Sequence, residues 1–233
     1  MKKIIMLVDD DPSIRTLLKA ALEKNGYDTL LFASGEEALE GLETRQADVV
    51  ILDIILPGID GLEVLKRIRS HPDHSNIPII MLTTKDSEFE TVLGLEMGAD
   101  DYLSKPVRYY ELIARLKKVL QRTDLLSQTV GKSVLIHGIE IDLNSRTVYI
   151  NNTMVPLTYM EYELLSLLAR NPGKVFTREH LLDLLWHEEQ FTETRTVDVH
   201  IRRLRRSFEE YGLNPGIIET IRSVGYRFSC ISP

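Results

Sequence analysis

Five polar residues in the first half of this chain stand at the ends of short apolar runs. Asp9 and Asp10 follow residues 4–8 (IIMLV), Asp53 follows 49–52 (VVIL), Thr83 follows 79–82 (IIML), and Lys105 comes just after residues 102–103. Three carboxylates gathered in one place repel, so they need a cation or a proton between them. Mg2+ answers that need, since it is held by a few carboxylates together with water and phosphate oxygens. A carboxylate beside such an ion, an ammonium and a hydroxyl can attack phosphorus in line while the cations screen the phosphoryl charge. Neither G-x-G-x-x-G nor G-x-x-x-x-G-K-[ST] occurs, so the phosphoryl donor is not a nucleotide bound by such a loop. Acidic residues at strand ends also act as helix N-caps, which suits Asp11 before Pro12, and Asp60 before Gly61 suits a turn.

The elements that must bring these residues together are legible. The apolar runs suit parallel strands buried on both faces. Between and after them, residues 13–25, 35–43, 62–70, 88–97 and 109–121 carry helical apolar spacing. This alternation predicts an α/β fold, a doubly wound five-stranded parallel (βα)5 sheet with right-handed crossovers. Sites in such sheets form beyond the carboxyl ends of the strands, where all five residues lie. The first domain is placed at 1–121. Residues 122–133 lack a period and read as a linker, and 134–233 form a second domain. There, 134–142 and 147–155 read as strands with a turn at Asn151-Asn152, helices follow at 158–170, 178–186 and 195–210, and a hairpin covers 217–229.

The chain has 28 basic and 35 acidic side chains, a net charge of −7, which argues against binding nucleic acid or membrane by bulk charge. Concentrated charge says otherwise. Residues 122–233 are nearly neutral, yet five of their basic groups are Arg195, Arg202, Arg203, Arg205 and Arg206, with Asp198 opposing them. On a helix, Val197, Ile201, Leu204 and Phe208 form one apolar stripe, and Arg195, Val199, Arg202, Arg203 and Arg206 lie opposite. Such a helix can pack by one face and offer arginines to guanine edges and phosphates in a major groove. Arg222, at the turn of the last hairpin, could reach a minor groove. The bland alternatives are a solvated helix with ion pairs and a surface arginine.

A composition of 43% apolar and 27% charged residues is that of a folded globular chain. One cysteine, Cys230, excludes an intrachain disulfide framework. Asp9 to Asp11 cut short the N-terminal apolar run, and no run approaches the ~20 residues that span a bilayer. No membrane insertion and a cytoplasmic location are the expectations.

With these residues on the page, a resemblance is plain. LVDDD at 7–11, LDIILPGIDG at 52–61, MLTT at 81–84 and GADDYLSKP at 98–106 resemble the receiver domain of response regulators. LTYMEYELLSLLARNPGKVFTREHLLDLLW at 157–186, RTVDVHIRRLRRSFE at 195–209 and ETIRSVGYRF at 219–228 resemble the winged helix-turn-helix effector domain of the OmpR/PhoB type. The resemblance implies phosphorylation of Asp53 by a sensor histidine kinase, Mg2+ held by Asp9, Asp10, Asp53 and the carbonyl of Ile55, and a cis bond before Pro106. Thr83, Tyr102 and Lys105 would bind or answer the phosphoryl group. Thr196, Asp198, Val199, Arg202 and Arg203 would lie nearest the bases of promoter DNA. Arg195, His200, Arg205 and Thr220 would favour the backbone, with Arg222 in the wing. Residues 186–194 would meet RNA polymerase. Glu96, Asp100, Asp101, Glu111, Arg115 and Lys117 would pair two phosphorylated receivers across a two-fold axis.

Two departures bear on that dimer. Thr91 stands where the family usually has a basic residue, and Val107-Arg108-Tyr109-Tyr110 replaces its usual Phe-Ser-Pro-basic sequence. The reading is therefore a transcription factor switched by phosphorylation, not an enzyme. One rival is a phosphatase of the haloacid-dehalogenase type, which needs an acid where Ile55 stands. The other is a regulator independent of phosphorylation, whose pocket only stabilises the fold.

Overall fold

The computed structural model describes residues 2–71, 73–84, 94–126, 133–143, 145–186 and 195–230. The chain divides into two compact units, residues 1–121 and 122–233.

The first unit alternates strand and helix: β1 (Ile4–Val8), α1 (Pro12–Lys24), β2 (Asp28–Phe32), α2 (Gly35–Thr44), β3 (Val49–Asp53), α3 (Gly61–Ser70), β4 (Ile79–Thr84), β5 (Asp101–Lys105) and α4 (Tyr109–Leu126). Residues 94–97 are helical; the rest of the helix expected over 88–97 lies outside the described residues. The five strands are parallel, in the order β2-β1-β3-β4-β5. Side chains alternate across a strand, so the two faces collect separate cores. Met6, Val8, Val50 and Leu52 pack with Ala38 and Leu42 of α2 and Val64, Leu65 and Ile68 of α3. Ile5, Leu7, Val49 and Ile51 pack with Leu18 and Leu22 of α1 and Leu112 and Leu116 of α4. The strand order reverses between β1 and β3, and the crevice this opens at their carboxyl ends receives Asp9, Asp10 and Asp53.

Caps set the helix starts. Asp11 accepts from the N–H groups of Ser13 (2.7 Å) and Ile14 (3.4 Å), ahead of Pro12. Asp60, expected in a turn, instead caps α3 through Glu63 N–H at 2.8 Å. Gly61 allows α3 to begin against the end of β3: a Cβ there would stand 2.0 Å from the carbonyl oxygen of Asp53. α4 runs on to Leu126, so residues 122–126, read as linker, are helical; no Gly or Pro interrupts 107–126. Residues 127–132 lie outside the described set.

The second unit opens with a four-stranded antiparallel meander, β6 (Ser133–Ile136), β7 (Ile139–Asp142), β8 (Thr147–Ile150) and β9 (Thr153–Val155). The stretch 134–142, read as one strand, is in fact a hairpin, and 147–155 is the hairpin its turn residues predicted. Asn151 and Asn152 turn with φ of 51° and 63°, as anticipated, and His137-Gly138 turns likewise with φ of 51° and 82°. Then come α5 (Tyr159–Ala169), β10 (Val175–Thr177), α6 (Arg178–Leu185), α7 (Arg195–Glu210), β11 (Ile218–Ile221) and β12 (Gly225–Phe228). The last hairpin is joined by β10, which pattern reading did not anticipate, giving a sheet in the order β10-β12-β11. Three helices framed by this hairpin sheet form the helix-turn-helix and its wing.

Candidate functional site

The pocket at the strand ends is assembled as the sequence predicts. Asp9 and Asp53 are buried and Asp10 is exposed, and one carboxylate oxygen from each lies within 4.8 Å of the other two. Lys105 Nζ lies 2.6 Å from Asp53 Oδ2 and 2.9 Å from Asp9 Oδ2. Toward Asp53 this is a hydrogen bond. Toward Asp9 the contact is an ion pair, and the buried Oδ2 accepts no hydrogen bond among the described residues. Asp9 Oδ1 accepts from Asp11 N–H at 2.9 Å, and Arg15 Nη1 donates to the carbonyl of Asp9 at 2.5 Å. Arg15 was not singled out from sequence, because its position on α1 marks it as an ordinary surface arginine. The Lys105–Pro106 bond is cis, as the resemblance implied.

The charges bear on one another. Burial pushes the Asp53 carboxyl above its ordinary value, against the pull of the Lys105 ammonium, and the Asp9 charge adds to the push. Burial draws Lys105 down, but its bond to Asp53 and the negative charges of Asp53 and Asp9 prevail and hold it above its ordinary value. The pocket is thus one cation short for three carboxylates, with an exposed acid on its open side. That oxygen-only donor set, with a buried oxygen lacking a hydrogen bond, fits a hard divalent ion such as Mg2+. Ile55 follows on the loop after β3; its N–H reaches Asp53 Oδ1 at 3.4 Å and its side chain is exposed.

Thr83 is buried at the end of β4, one residue beyond Leu82, which is in register with Asp53. Tyr102 is half-buried and in register with Met81. Thr83, Met81 and Tyr102 therefore share one sheet face, a threonine at the pocket with a ring behind it.

The residues expected to pair two receivers are largely paired within one chain. Arg115, buried, bonds to Asp101 and, at 3.1 Å, to Glu111. Asp100, buried, accepts from Arg69 Nη2 at 2.7 Å and Ile79 N–H at 2.8 Å, so its carboxylate is engaged within the chain. Glu96 is half-buried and Lys117 is exposed. Thr91 lies outside the described residues; Tyr109 and Tyr110 are exposed with their rings edge to face.

On α7 the apolar stripe is as predicted: Val197, Ile201, Leu204 and Phe208 are buried. The opposite side is not as open as the helical wheel suggests. α7 packs against α5, α6 and the turn at Pro215–Ile217, so Thr196, Val199 and His200 are buried too. His200 Nδ1 lies 2.9 Å from the carbonyl of Thr196, and its ring stands edge-on to Trp186 at 5.1 Å. Val199 and His200, placed at DNA from sequence, are therefore packing residues here. Arg203 bonds through Nε to Glu161, which is buried on α5 and completes a capping box with Thr158. The Arg203 guanidinium thus neutralises an internal carboxylate.

Asp198 accepts from Arg178 Nε and from the Tyr226 hydroxyl, both at 2.7 Å, tying α7 to α6 and β12. Arg205 donates to the carbonyl of Ile218 and to Thr220 Oγ1 (2.8 Å), so two expected backbone contacts hold each other. Arg202, Arg206 and Arg222 are exposed, with Arg206 Nε 3.0 Å from Glu210. The side chain of Arg195 and residues 187–194 lie outside the described set. Arg178, Tyr226 and Glu161 went unnoticed in the sequence, since neither periodicity nor charge clustering marks a residue that acts through contacts distant along the chain.

With the geometry in place, comparison with known proteins is informative. The profile of the response regulator receiver domain matches residues 5–117, and that of the C-terminal domain of transcriptional regulatory proteins matches residues 151–228. The chain is 41% identical to the alkaline phosphatase synthesis transcriptional regulatory protein PhoP of Bacillus subtilis, over 97% of each chain. It is 39% identical to the DNA-binding response regulator MtrA of Mycobacterium tuberculosis, again over 97% of each chain. Among solved structures it resembles a RitR variant (29% identity, TM-score 0.76, covering 97% of this chain and 99% of the other). It also resembles DrrB, a Thermotoga maritima OmpR/PhoB homologue (32% identity, TM-score 0.51, covering 98% and 100%).

Proposed function

The chain belongs to the response regulators of two-component systems, with a receiver domain followed by an OmpR/PhoB-type DNA-binding domain, and on that premise we propose that Asp53 is its phosphoacceptor. The observation that supports this is the Lys105 ammonium seated between the buried carboxylates of Asp9 and Asp53, with Asp10 within reach. Asp53 Oδ1 or Oδ2 attacks phosphorus and the donor group leaves. Lys105 holds the incoming phosphoryl oxygens, and Asp9, Asp10, Asp53 and the Ile55 carbonyl would hold Mg2+. When bound, that ion supplies charge screening. A sensor histidine kinase is the donor.

The added phosphoryl charge, about −1.5 to −2, and its acceptor oxygens draw the Thr83 hydroxyl toward the pocket, and Tyr102, on the same sheet face, follows. The receivers then pair through the face of residues 94–97, β5 and α4, with Glu96 and Lys117 as charges at its surface. Asp101, Glu111 and Arg115 form the internal brace beneath. Promoter DNA meets Arg202, Arg206 and Arg222, with the segment between α6 and α7 toward RNA polymerase. No described helix is long and apolar enough to cross a membrane, and the proposed location is the cytoplasm.

Incubation with acetyl phosphate and Mg2+ tests the core of this. The wild-type chain takes up one phosphoryl group and Asp53→Asn takes up none. Equal labelling of the variant moves the site elsewhere. Uptake with DNA affinity unchanged favours a regulator whose pocket is structural.

A further inference from the structure

A second cluster of metal-ligand side chains lies in the first unit, made by the last turn of α2 and the loop that follows α3. Glu43, His71 and His74 each place one ligand atom within 4.8 Å of the other two. Glu43 Oε1 is 3.8 Å from His71 Nε2. The two imidazoles lie face to face, with centroids 4.3 Å apart and planes 16° from parallel. A metal about 2.0–2.1 Å from each of two imidazole nitrogens lies in both ring planes and sets the ring centroids roughly 5 Å apart, so the stacked rings must turn about their side-chain torsions for both nitrogens to face one ion.

The loop is built rather than slack. Ser75 N–H donates to the carbonyl of His71 at 3.0 Å and Ile77 N–H to that of His74 at 3.1 Å. Arg69 Nη1 ties the carbonyls of Ser75 and Ile77 at 2.9 and 2.7 Å. One long contact opposes ligation: Asp73 N–H reaches His71 Nδ1 at 3.3 Å, beyond the usual span. Ligation through Nε2 gives up no more than that contact.

We propose that Glu43, His71 and His74 bind a borderline first-row transition ion, with Zn2+ as the best fit. Two neutral imidazoles and one carboxylate suit Zn2+, leaving a fourth position for water, whereas Mg2+ prefers oxygen ligands and keeps its waters. The site is therefore chemically separate from the pocket of Asp9, Asp10 and Asp53. Bound metal clips α2 to the loop after α3, on the same face of the sheet as Tyr102. The expected consequence is a more stable first unit when zinc is present.

The test uses the full chain with Mg2+ in large excess, so that the carboxylate pocket does not bind the probe. Calorimetric titration with ZnCl2 is expected to show one saturable equivalent and a raised midpoint of thermal unfolding. Glu43→Gln, at an exposed position, and His74→Ala, at a half-buried one, both checked for folding by circular dichroism, are expected to weaken binding at least tenfold. Loss of second-shell partners alone costs metal sites about 10–100-fold. Asp53→Asn keeps the zinc site, which separates it from the phosphoryl pocket. Co2+ substitution without a thiolate charge-transfer band excludes Cys230 as the ligand. Absence of saturable binding, or binding unchanged in both variants, overturns the proposal.

Discussion

At the scale of single residues, what a position does depends on what fills the space beside it. A Cβ built on Gly94 would stand 1.5 Å from the hydroxyl oxygen of Tyr102 and 2.8 Å from its ring carbon. Glycine there is what lets the tyrosine lie against the helical residues 94–97. In an exposed helix Gly→Ala gains up to about 1 kcal/mol; here the displaced ring reverses the sign. Gly94→Ala is expected to lower the urea midpoint of the first unit. The same substitution in a Tyr102→Ala background is expected to raise it, a coupling that a double-mutant cycle reads directly.

Arg203 makes the complementary point. Its angle on α7 was legible in the sequence, but Glu161, buried on α5 and 42 residues away, was not. Truncating one partner of a buried pair strands the other's charge, so Arg203→Ala is expected to cost about 3 kcal/mol of stability in the second unit. Adding Glu161→Gln should recover part of the loss. DNA affinity should then fall alike for all sequences; relaxed preference at one base position would restore the base-reading role.

At the scale of elements, strands and helices followed from periodicity where an apolar run or stripe is continuous. That is why α1, α2, α3, β1 and β3 lie within a residue or two of their expected bounds, whereas β2 at Asp28–Phe32, with Leu30 and Phe32 against the core, was not read as a strand. Pattern reading failed where the deciding partner is distant. The turn at His137-Gly138 breaks the apolar run for only two residues, so 134–142 was read as continuous, and three-residue β10 exists because β12 pairs with it. The receiver pocket was legible almost whole because a parallel sheet brings strand ends together by topology alone. The face proposed to meet DNA was legible only as an arginine helix, because its burial is set by α5, α6 and the turn at Pro215–Ile217.

Those inter-element bonds have a pH signature. Burial raises the Glu161 carboxyl, yet the Arg203 guanidinium and the Thr158 N–H outweigh it and hold the group below its ordinary value of 4.5. A carboxyl depressed in the folded state contributes stability that is present above 4.5 and is lost as pH falls through the folded value. The second unit of the wild type is expected to lose stability steeply below that point in an acid titration of its urea midpoint. Glu161→Gln should start lower and fall less steeply.

At the scale of the whole molecule, the two units address different chemistry, and what couples them in function is the proposed receiver pair. A single winged helix with Arg202, Arg206 and Arg222 exposed has a small contact set, while a pair joined through their receivers meets two half-sites with the second binding event made intramolecular. The gain then comes from effective concentration without new DNA contacts, and it depends on duplex architecture. On DNA with two direct-repeat half-sites, acetyl phosphate is expected to tighten binding by roughly 10²–10⁴-fold, and Asp53→Asn to show no gain. On a duplex with one half-site, donor and mock-treated protein should bind alike. A comparable gain on the single half-site would mean that phosphorylation alters the DNA-binding unit itself. The internal pairing of Arg115 with Asp101 and Glu111 gives a second handle. Lys117→Glu reverses an exposed charge without disturbing that brace, so it is expected to reduce the two-site gain while leaving single-site affinity and phosphoryl uptake intact.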